Sequence, residues 1–319
     1  MNATHTIGSE NSSYLARGPV AVLGAGTIGA GWAAFFALRG LEVRVFNTSE
    51  DAQGLVLQTL ERARPTMQAL GLLSESPTVP RVTTDIAQAV AGATHIQEAL
   101  PENLELKHRI YKMVEASADS NAIIASSSSG LQPSELQAGL RHPERLLIAH
   151  PSNPPYLMPL VEIVGGTLTA PWALDEAEAF YQALGKQTVR LRREVTGHLV
   201  NRLQAALWRE AVHLVSNGYA SVADVDRVIT QGLGARWAVC GPHEIFHLSG
   251  GDDGMAGFLD RLGPAVKTWW ADLGEPVLDE ATCKALVDGM AEAAEGKTYA
   301  QMAEERDRRV IPVIAASRG

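Results

Sequence analysis

VAVLGAGTIGAGWAAFFALRG, residues 20–40, decides the fold of the first half of the chain. VAVLG (20–24) reads as a short buried strand. TIGAGWAAFFALRG (27–40) reads as a helix closed by Gly40. Between them GAGTIG (24–29) fits G-x-G-x-x-G, a weak pattern alone that gains meaning from a strand before it and a helix after it. Gly24 permits the tight turn, Gly26 lets the backbone approach a pyrophosphate, and Gly29 lets helix and strand pack closely. Thr27 and Ile28 complete the loop where free N–H groups and the positive end of the helix dipole meet a phosphate. The bland alternative is a glycine turn that binds nothing.

The same alternation continues outward. EVRVFN (42–47), HIQEAL (95–100), AIIASS (122–127) and LLIAH (146–150) read as strands, with helical segments between them, the first over 50–70 and bent at Pro65. Apolar strands separated by helices predict a parallel sheet covered on both faces. After TVRLR (188–192) the pattern changes. Residues 195–218 read as one long helix ended by Gly218, Ser221 with Asp224 as the capped start of the next, and helical periodicity continues to Ala316. The expected organisation is a polar tail over 1–18, an α/β dinucleotide-binding domain over 19–194 and an all-α domain over 195–319.

Composition narrows the function. Of 319 residues, 46% are apolar and 20% charged, as in an ordinary globular protein. A formal charge of −9 argues against nucleic acid as main partner, because phosphate contacts need clustered Lys and Arg. No apolar run is long enough to predict a membrane span, and the N-terminus lacks the apolar core of a signal peptide. Cys240 and Cys283 make no disulfide framework, which fits a cytoplasmic location.

A ribose reader belongs at the end of the second strand. Asn47 stands there; it can bond a 2′-hydroxyl but repels no 2′-phosphate. Glu50 and Asp51 nearby disfavour an added phosphate, so NAD is the expected cofactor rather than NADP.

AHPSNPPYLMPLVEIVGG (149–166) carries the chemistry. His150 lies at a strand's carboxyl end, where ligands of open α/β sheets bind. Glu162 sits inside the next apolar run, and a buried carboxylate needs a partner. Should the intervening loop fold back, Glu162 reaches one ring nitrogen of His150, fixes its tautomer and aims the other at a substrate. That is what a general base needs when an alcohol is oxidised by hydride transfer. The plainer reading is a strand-capping histidine and a locally bonded acid.

These stretches, with HIQEALPENLELK (95–107), SSSSGLQPSEL (126–136), EVTGHLVNRLQ (194–204) and GLGARWAVCGPHEIFHL (232–248), resemble the 3-hydroxyacyl-CoA dehydrogenase superfamily over residues 19–316. Within it they resemble the branch acting on free acids, which includes L-gulonate 3-dehydrogenase (lambda-crystallin) and L-carnitine dehydrogenase. The resemblance implies that His150 is the base and Glu162 its partner. It implies that Ser129 bonds the substrate oxygen and also lines the cofactor site, and that Asn201 holds the substrate or the forming carbonyl from the second domain. It places Glu98, Glu102 and Lys107 near the nicotinamide, Asn153 beside the substrate, and a homodimer on the second domain. Ser152, His198 and Asn47 depart from the family pattern of Phe or Val, Phe, and an acid.

Substrate class is read from the remaining polar groups. Arg236 could clamp a free carboxylate, and Trp237, Tyr156, Phe246 and Trp208 could cage a quaternary ammonium. Ser152 and His198 make the expected cleft more polar, and with His243, Glu244 and His247 they would suit a polyol. Those replacements put a sugar acid such as L-gulonate first, carnitine second and a short acid such as 3-hydroxybutyrate third. No basic cluster for an acyl-CoA tail is evident. The non-enzymatic alternative is a crystallin-like dinucleotide-binding protein.

Overall fold

A computed structural model describes residues 18–317; the polar tail proposed for 1–18 lies almost wholly outside them. The chain divides into two compact units, one ending at Arg202 and one beginning at Leu203.

The first unit is an eight-stranded sheet in the order β3-β2-β1-β4-β5-β6-β7-β8. Its strands are β1 (Val20–Leu23), β2 (Val43–Phe46), β3 (Arg81–Thr83), β4 (His95–Glu98), β5 (Ile123–Ser126), β6 (Leu146–Pro151), β7 (Leu160–Gly165) and β8 (Gln187–Arg190). The helices are α1 (Thr27–Leu38), α2 (Ala52–Ala69, which runs through Pro65), α3 (Ile86–Val90), α4 (Leu104–Glu115), α5 (Pro133–Leu136) and α6 (Pro171–Ala183). The strands β1 to β6 are parallel, as expected. Strand β7 runs antiparallel to β6, and β8 follows β7. The reversal has a simple cause. A parallel crossover needs a dozen or more residues, and only residues 152–159 separate β6 from β7.

Helix α1 shows why the glycines are needed. Gly24 has φ +98°, a left-handed backbone that suits glycine. A Cβ on Gly29 would lie 1.9 Å from the Gly24 carbonyl oxygen. Trp32, Phe35 and Phe36 on the same helix are fully buried, and Trp32 stacks on Phe36 with centroids 5.1 Å apart.

A buried polar chain lies under this aromatic layer. His95 stacks on Phe180 (3.9 Å) and its Nε2 lies 3.1 Å from the Tyr181 hydroxyl. That hydroxyl spends its only proton on Gln97 Oε1, so His95 Nε2 is the donor. Burial pushes the His95 pKa from 6.5 to about 3, against a smaller opposing pull from Gln97. The unfolded chain takes a proton near 6.5 and the folded chain only near 3. The stability this residue contributes is therefore complete above pH 6.5 and lost as pH falls towards 3. The gap corresponds to about 5 kcal/mol. We expect His95→Phe, which keeps a ring against Phe180, to remove one proton's worth of acid sensitivity. Urea midpoints compared at about pH 7 and about pH 4 measure it; an unchanged slope would contradict the assignment.

The second unit is helical, from the rest of α7 (Val200–Ser216) through α8 (Val222–Val228), α9 (Gly234–Trp237), α10 (Pro242–Ser249), α11 (Gly254–Arg261), α12 (Gly263–Asp272), α13 (Glu280–Ala293) and α14 (Tyr299–Ser317). No strand is described beyond Arg190. Ser221 caps α8 by accepting from the Asp224 amide, as expected. Helix α7 begins at Val200 and not at 195, because Gly197 (φ +75°) and His198 (φ +49°) are both left-handed and break the helical path.

Candidate active site

The carboxyl ends of the parallel strands bring the glycine loop, Glu98, Ser129 and His150 to one edge of the sheet. The strand order reverses between β1 and β4, and that switch point is where open α/β sheets bind ligands. The glycine loop closes β1, Glu98 ends β4, the Ser126–Gly130 segment leaves β5, and His150 stands near the end of β6.

At the glycine loop Gly26 and Thr27 are exposed and Ile28 is half-buried. A Cβ on Gly26 would meet nothing within 4 Å, so packing does not demand glycine there. Among the described residues no side chain caps α1, whose N-cap is Gly26. An open, uncapped helix start beside a positive-φ glycine fits a dinucleotide pyrophosphate. Asn47 is half-buried at the end of β2. Its Oδ1 accepts from the Ala25 amide (3.4 Å) and its Nδ2 donates to the Ser49 carbonyl (3.1 Å), which tethers the strand end to the loop. Arg44 is turned elsewhere, onto Glu42 and the carbonyls of Gln88 and Ala91, so it is not held ready for a 2′-phosphate.

The histidine and the acid meet. In the antiparallel β6–β7 register His150 is the direct cross-strand partner of Glu162, and side chains of such pairs share one face. His150 Nδ1 lies 2.8 Å from Glu162 Oε2. His150 is 7% exposed and Glu162 1%. The other carboxylate oxygen, Oε1, accepts from the backbone amides of Leu199 (2.7 Å) and Val200 (3.0 Å), at the start of α7. Burial alone would raise the Glu162 pKa, but the hydrogen bond from His150 and those two amides outweigh it and hold the carboxyl below its ordinary range. An ionised acceptor requires His150 to carry its proton on Nδ1, which leaves Nε2 as a basic lone pair.

Ser129 is half-buried and fastened to Glu102, whose Oε1 accepts from the Ser129 amide (2.5 Å), the Ser129 hydroxyl (3.1 Å) and the Gly130 amide (3.2 Å). Glu102 Oε2 accepts from the Ser128 hydroxyl (2.6 Å). Burial works to raise the Glu102 pKa; these bonds and the charge of Lys107 outweigh it. Asn201 is half-buried in the first turn of α7 and belongs to the first unit. Asn153 is exposed on the loop after His150.

Glu98 and Lys107 lie deeper than expected. They are 0% and 1% exposed and form an ion pair of 2.6 Å. Glu98 also accepts from the Leu100 amide (2.6 Å), Ser126 (2.6 Å) and Tyr111 (2.5 Å). Burial first, then the Glu98 charge, keeps the Tyr111 phenol protonated as a donor. This pair supports the serine segment from beneath and presents no surface of its own.

His198 does not line the site as a polar wall. It is 1% exposed and its Nε2 donates to the Ser128 carbonyl (3.0 Å). Tyr156 is buried as well, and Phe246 stacks on Phe258 (4.6 Å). Arg236 and Trp237 lie on α9 in the second unit, both exposed. Sequence reasoning missed Ser126, Ser128, Tyr111 and the two α7 amides. The serine run SSSSG was the available signal for the first two.

Comparison with known proteins identifies the family. Residues 19–195 match the family model "3-hydroxyacyl-CoA dehydrogenase, NAD binding domain", and residues 197–301 match "3-hydroxyacyl-CoA dehydrogenase, C-terminal domain". An L-carnitine dehydrogenase of Streptomyces griseus is 45% identical over 93% of this chain and 89% of its own. One of Streptomyces coelicolor is 45% identical over 93% and 94%. Among solved structures, an NAD+-dependent dismutase that is a 5-formyl-3-hydroxy-2-methylpyridine 4-carboxylic acid 5-dehydrogenase superposes with TM-score 0.81. It is 29% identical, over 94% of this chain and 98% of that one. FadB2 of M. tuberculosis superposes with TM-score 0.62 at 28% identity, over 78% and 88%.

Proposed function

The chain belongs to the 3-hydroxyacyl-CoA dehydrogenase family, and from that premise we propose that it oxidises the 3-hydroxyl of a free 3-hydroxy acid, L-carnitine, to the 3-oxo acid. The chemistry rests on one observation, the 2.8 Å contact between His150 and Glu162 at the carboxyl edge of the sheet. The choice of carnitine draws support from relatives at 45% identity over nearly the whole chain that bear that name. This reverses the order expected from sequence, in which a sugar acid came first. That order leaned on His198 as a polar wall, and His198 is buried with its donor spent on Ser128.

NAD, when bound at the glycine loop, supplies the hydride acceptor. The loop residues Gly24, Gly26, Thr27, Ile28 and Gly29 hold its phosphates and Asn47 its ribose. His150 Nε2 takes the hydroxyl proton while Glu162 stabilises the imidazolium that results. Asn201 bonds the substrate oxygen as its charge changes, and Ser129, whose hydroxyl proton goes to Glu102, would turn that proton to the same oxygen when substrate binds. The sequence's candidates for the carboxylate and the quaternary ammonium, Arg236 and Trp237, lie on α9 of the second unit.

Initial rates of NADH formation with L-carnitine, L-gulonate, 3-hydroxybutyrate and 3-hydroxybutyryl-CoA test the proposal. We expect the highest kcat/KM with carnitine and a much lower value when NADP replaces NAD. A higher kcat/KM with gulonate would return the sugar acid to first place. Turnover of the thioester alone would end the free-acid reading.

We also place the second unit in a homodimer in the cytoplasm. Trp208, Trp269 and Trp270 are more than half exposed there, and Leu207, Ala211, Leu214, Val225 and Val228 line an apolar groove of about 270 Å³. Apolar surface of that extent asks for a partner. Among the described residues no helix is long and apolar enough to cross a membrane. Sedimentation equilibrium giving a monomer at every concentration would remove the dimer.

A further inference from the structure

We propose that His198 is a positioning residue: locked as the neutral Nε2–H tautomer, it ties the Ser128 carbonyl to the turn whose amides hold Glu162, and through Glu162 it sets the aim of His150. The inference rests on the reading of His150 as the base.

Three observations carry it. The first is the hydrogen bond. A carbonyl only accepts, so His198 Nε2, 3.0 Å from the Ser128 oxygen, must bear the proton. The second is the backbone. His198 has φ +49° and follows Gly197 at +75°, so two successive left-handed residues turn the chain into α7. The next two amides, of Leu199 and Val200, are those on Glu162 Oε1. A side chain anchored to Ser128 holds a conformation that an L-residue enters at a cost, and such strain collects at functional sites. The third is the other ring nitrogen. Nδ1 is buried and has no hydrogen-bond partner among the described residues, and buried polar groups left unpaired in a native fold call for an explanation. With the proton on Nε2, Nδ1 carries only a lone pair and has no proton of its own to place.

The ring sits 5.1 Å, centroid to centroid, from His150. A second cation that close would oppose the imidazolium formed in the reaction. Burial lowers the His198 pKa, and a charge on His150 adds to that, while the bond to Ser128 and the charges of Glu162 and Glu102 oppose the shift. Ser128 in turn belongs to the segment fastened to Glu102. One imidazole thus joins the serine segment of the nucleotide side to the acid behind the base. Phenylalanine would fill the same ring-shaped space, but it has no donor for Ser128.

The test uses His198→Phe and His198→Asn in the full-length protein. In the phenylalanine variant we expect kcat with the best acid of the panel to fall about tenfold, a fraction of what a base contributes, with the NAD Kd from calorimetry unchanged. Asparagine adopts the left-handed region readily and keeps an N–H donor, so it should retain more kcat than phenylalanine. Wild-type kcat in the phenylalanine variant, or equal losses in both, would overturn the proposal. Should neither variant fold, 15N NMR of the histidine rings in the native protein decides. We expect a proton on Nε2 and none on Nδ1 near neutral pH; a neutral His198 that bears its proton on Nδ1 sinks it. An inactive His150→Ala beside a fully active His198→Phe would remove this inference alone, whereas an active His150→Ala would remove the base with it.

Discussion

His150→Ala should lower kcat by about 10²–10⁴-fold, the contribution of a well-placed general base, while the protein folds and binds NAD as before. The reasons lie in the geometry. His150 Nδ1 is committed to Glu162, so Nε2 is the only ring atom left to receive the alcohol proton. Removing the ring leaves the glycine loop and Asn47 untouched, because those contacts are made at the ends of β1 and β2. The measurement is a pair of constants: kcat from NADH formation, and the NAD Kd from calorimetry. A drop in kcat with unchanged Kd supports the role. Retained kcat would take His150 out of the mechanism and leave the acid pair as a structural contact between two strands.

Much of this site was legible because it depends on local pattern. The glycine loop is read from a strand, a spacing and a helix, all contiguous. The His150–Glu162 pair is read from two apolar runs and a loop too short for a crossover; the antiparallel pairing that joins them follows from the same shortness, although the sequence reading expected only parallel strands. What stayed hidden depends on residues far apart in the chain. The start of α7 was placed at 195 because the apolar periodicity begins there, yet the carboxylate holding its first amides is Glu162, 37 and 38 residues upstream. No local pattern records such a partner. Strand β3 is three residues at a sheet edge, Arg81–Thr83, without the apolar run that marked the others. Glu98 and Lys107 were recognised as belonging to the site, but sequence does not tell a buried charge from an exposed one; that needs Ser126 and Tyr111 in place around it. Substrate order failed for the same reason, since His198 looks like a polar surface residue until Ser128 is brought against it.

Lys107→Met should cost about 3–5 kcal/mol of folding stability, the price of leaving one buried charge without its counterion. Lys107 Nζ meets Glu98 Oε1 at 2.6 Å and donates to the Leu100 carbonyl at 3.2 Å, and both charged side chains are out of solvent. Methionine matches the length of the stem and fills the space, so the loss reports the charge and not a cavity. Glu98 keeps the Leu100 amide, Ser126 and Tyr111 as donors, which is why the carboxylate is not left bare and the fold survives the change. Removing the acid as well, in Glu98→Gln with Lys107→Met, should recover part of the loss, because neutral groups of similar shape replace a buried pair at little cost. Urea denaturation of the wild type, the single variant and the double variant measures all three. If the single variant were as stable as the wild type, the pair would be contributing nothing to the fold. If the double variant were less stable than the single, the carboxylate would be supported by its three remaining donors and not by the lysine, and the serine segment above it would owe its position to those bonds alone.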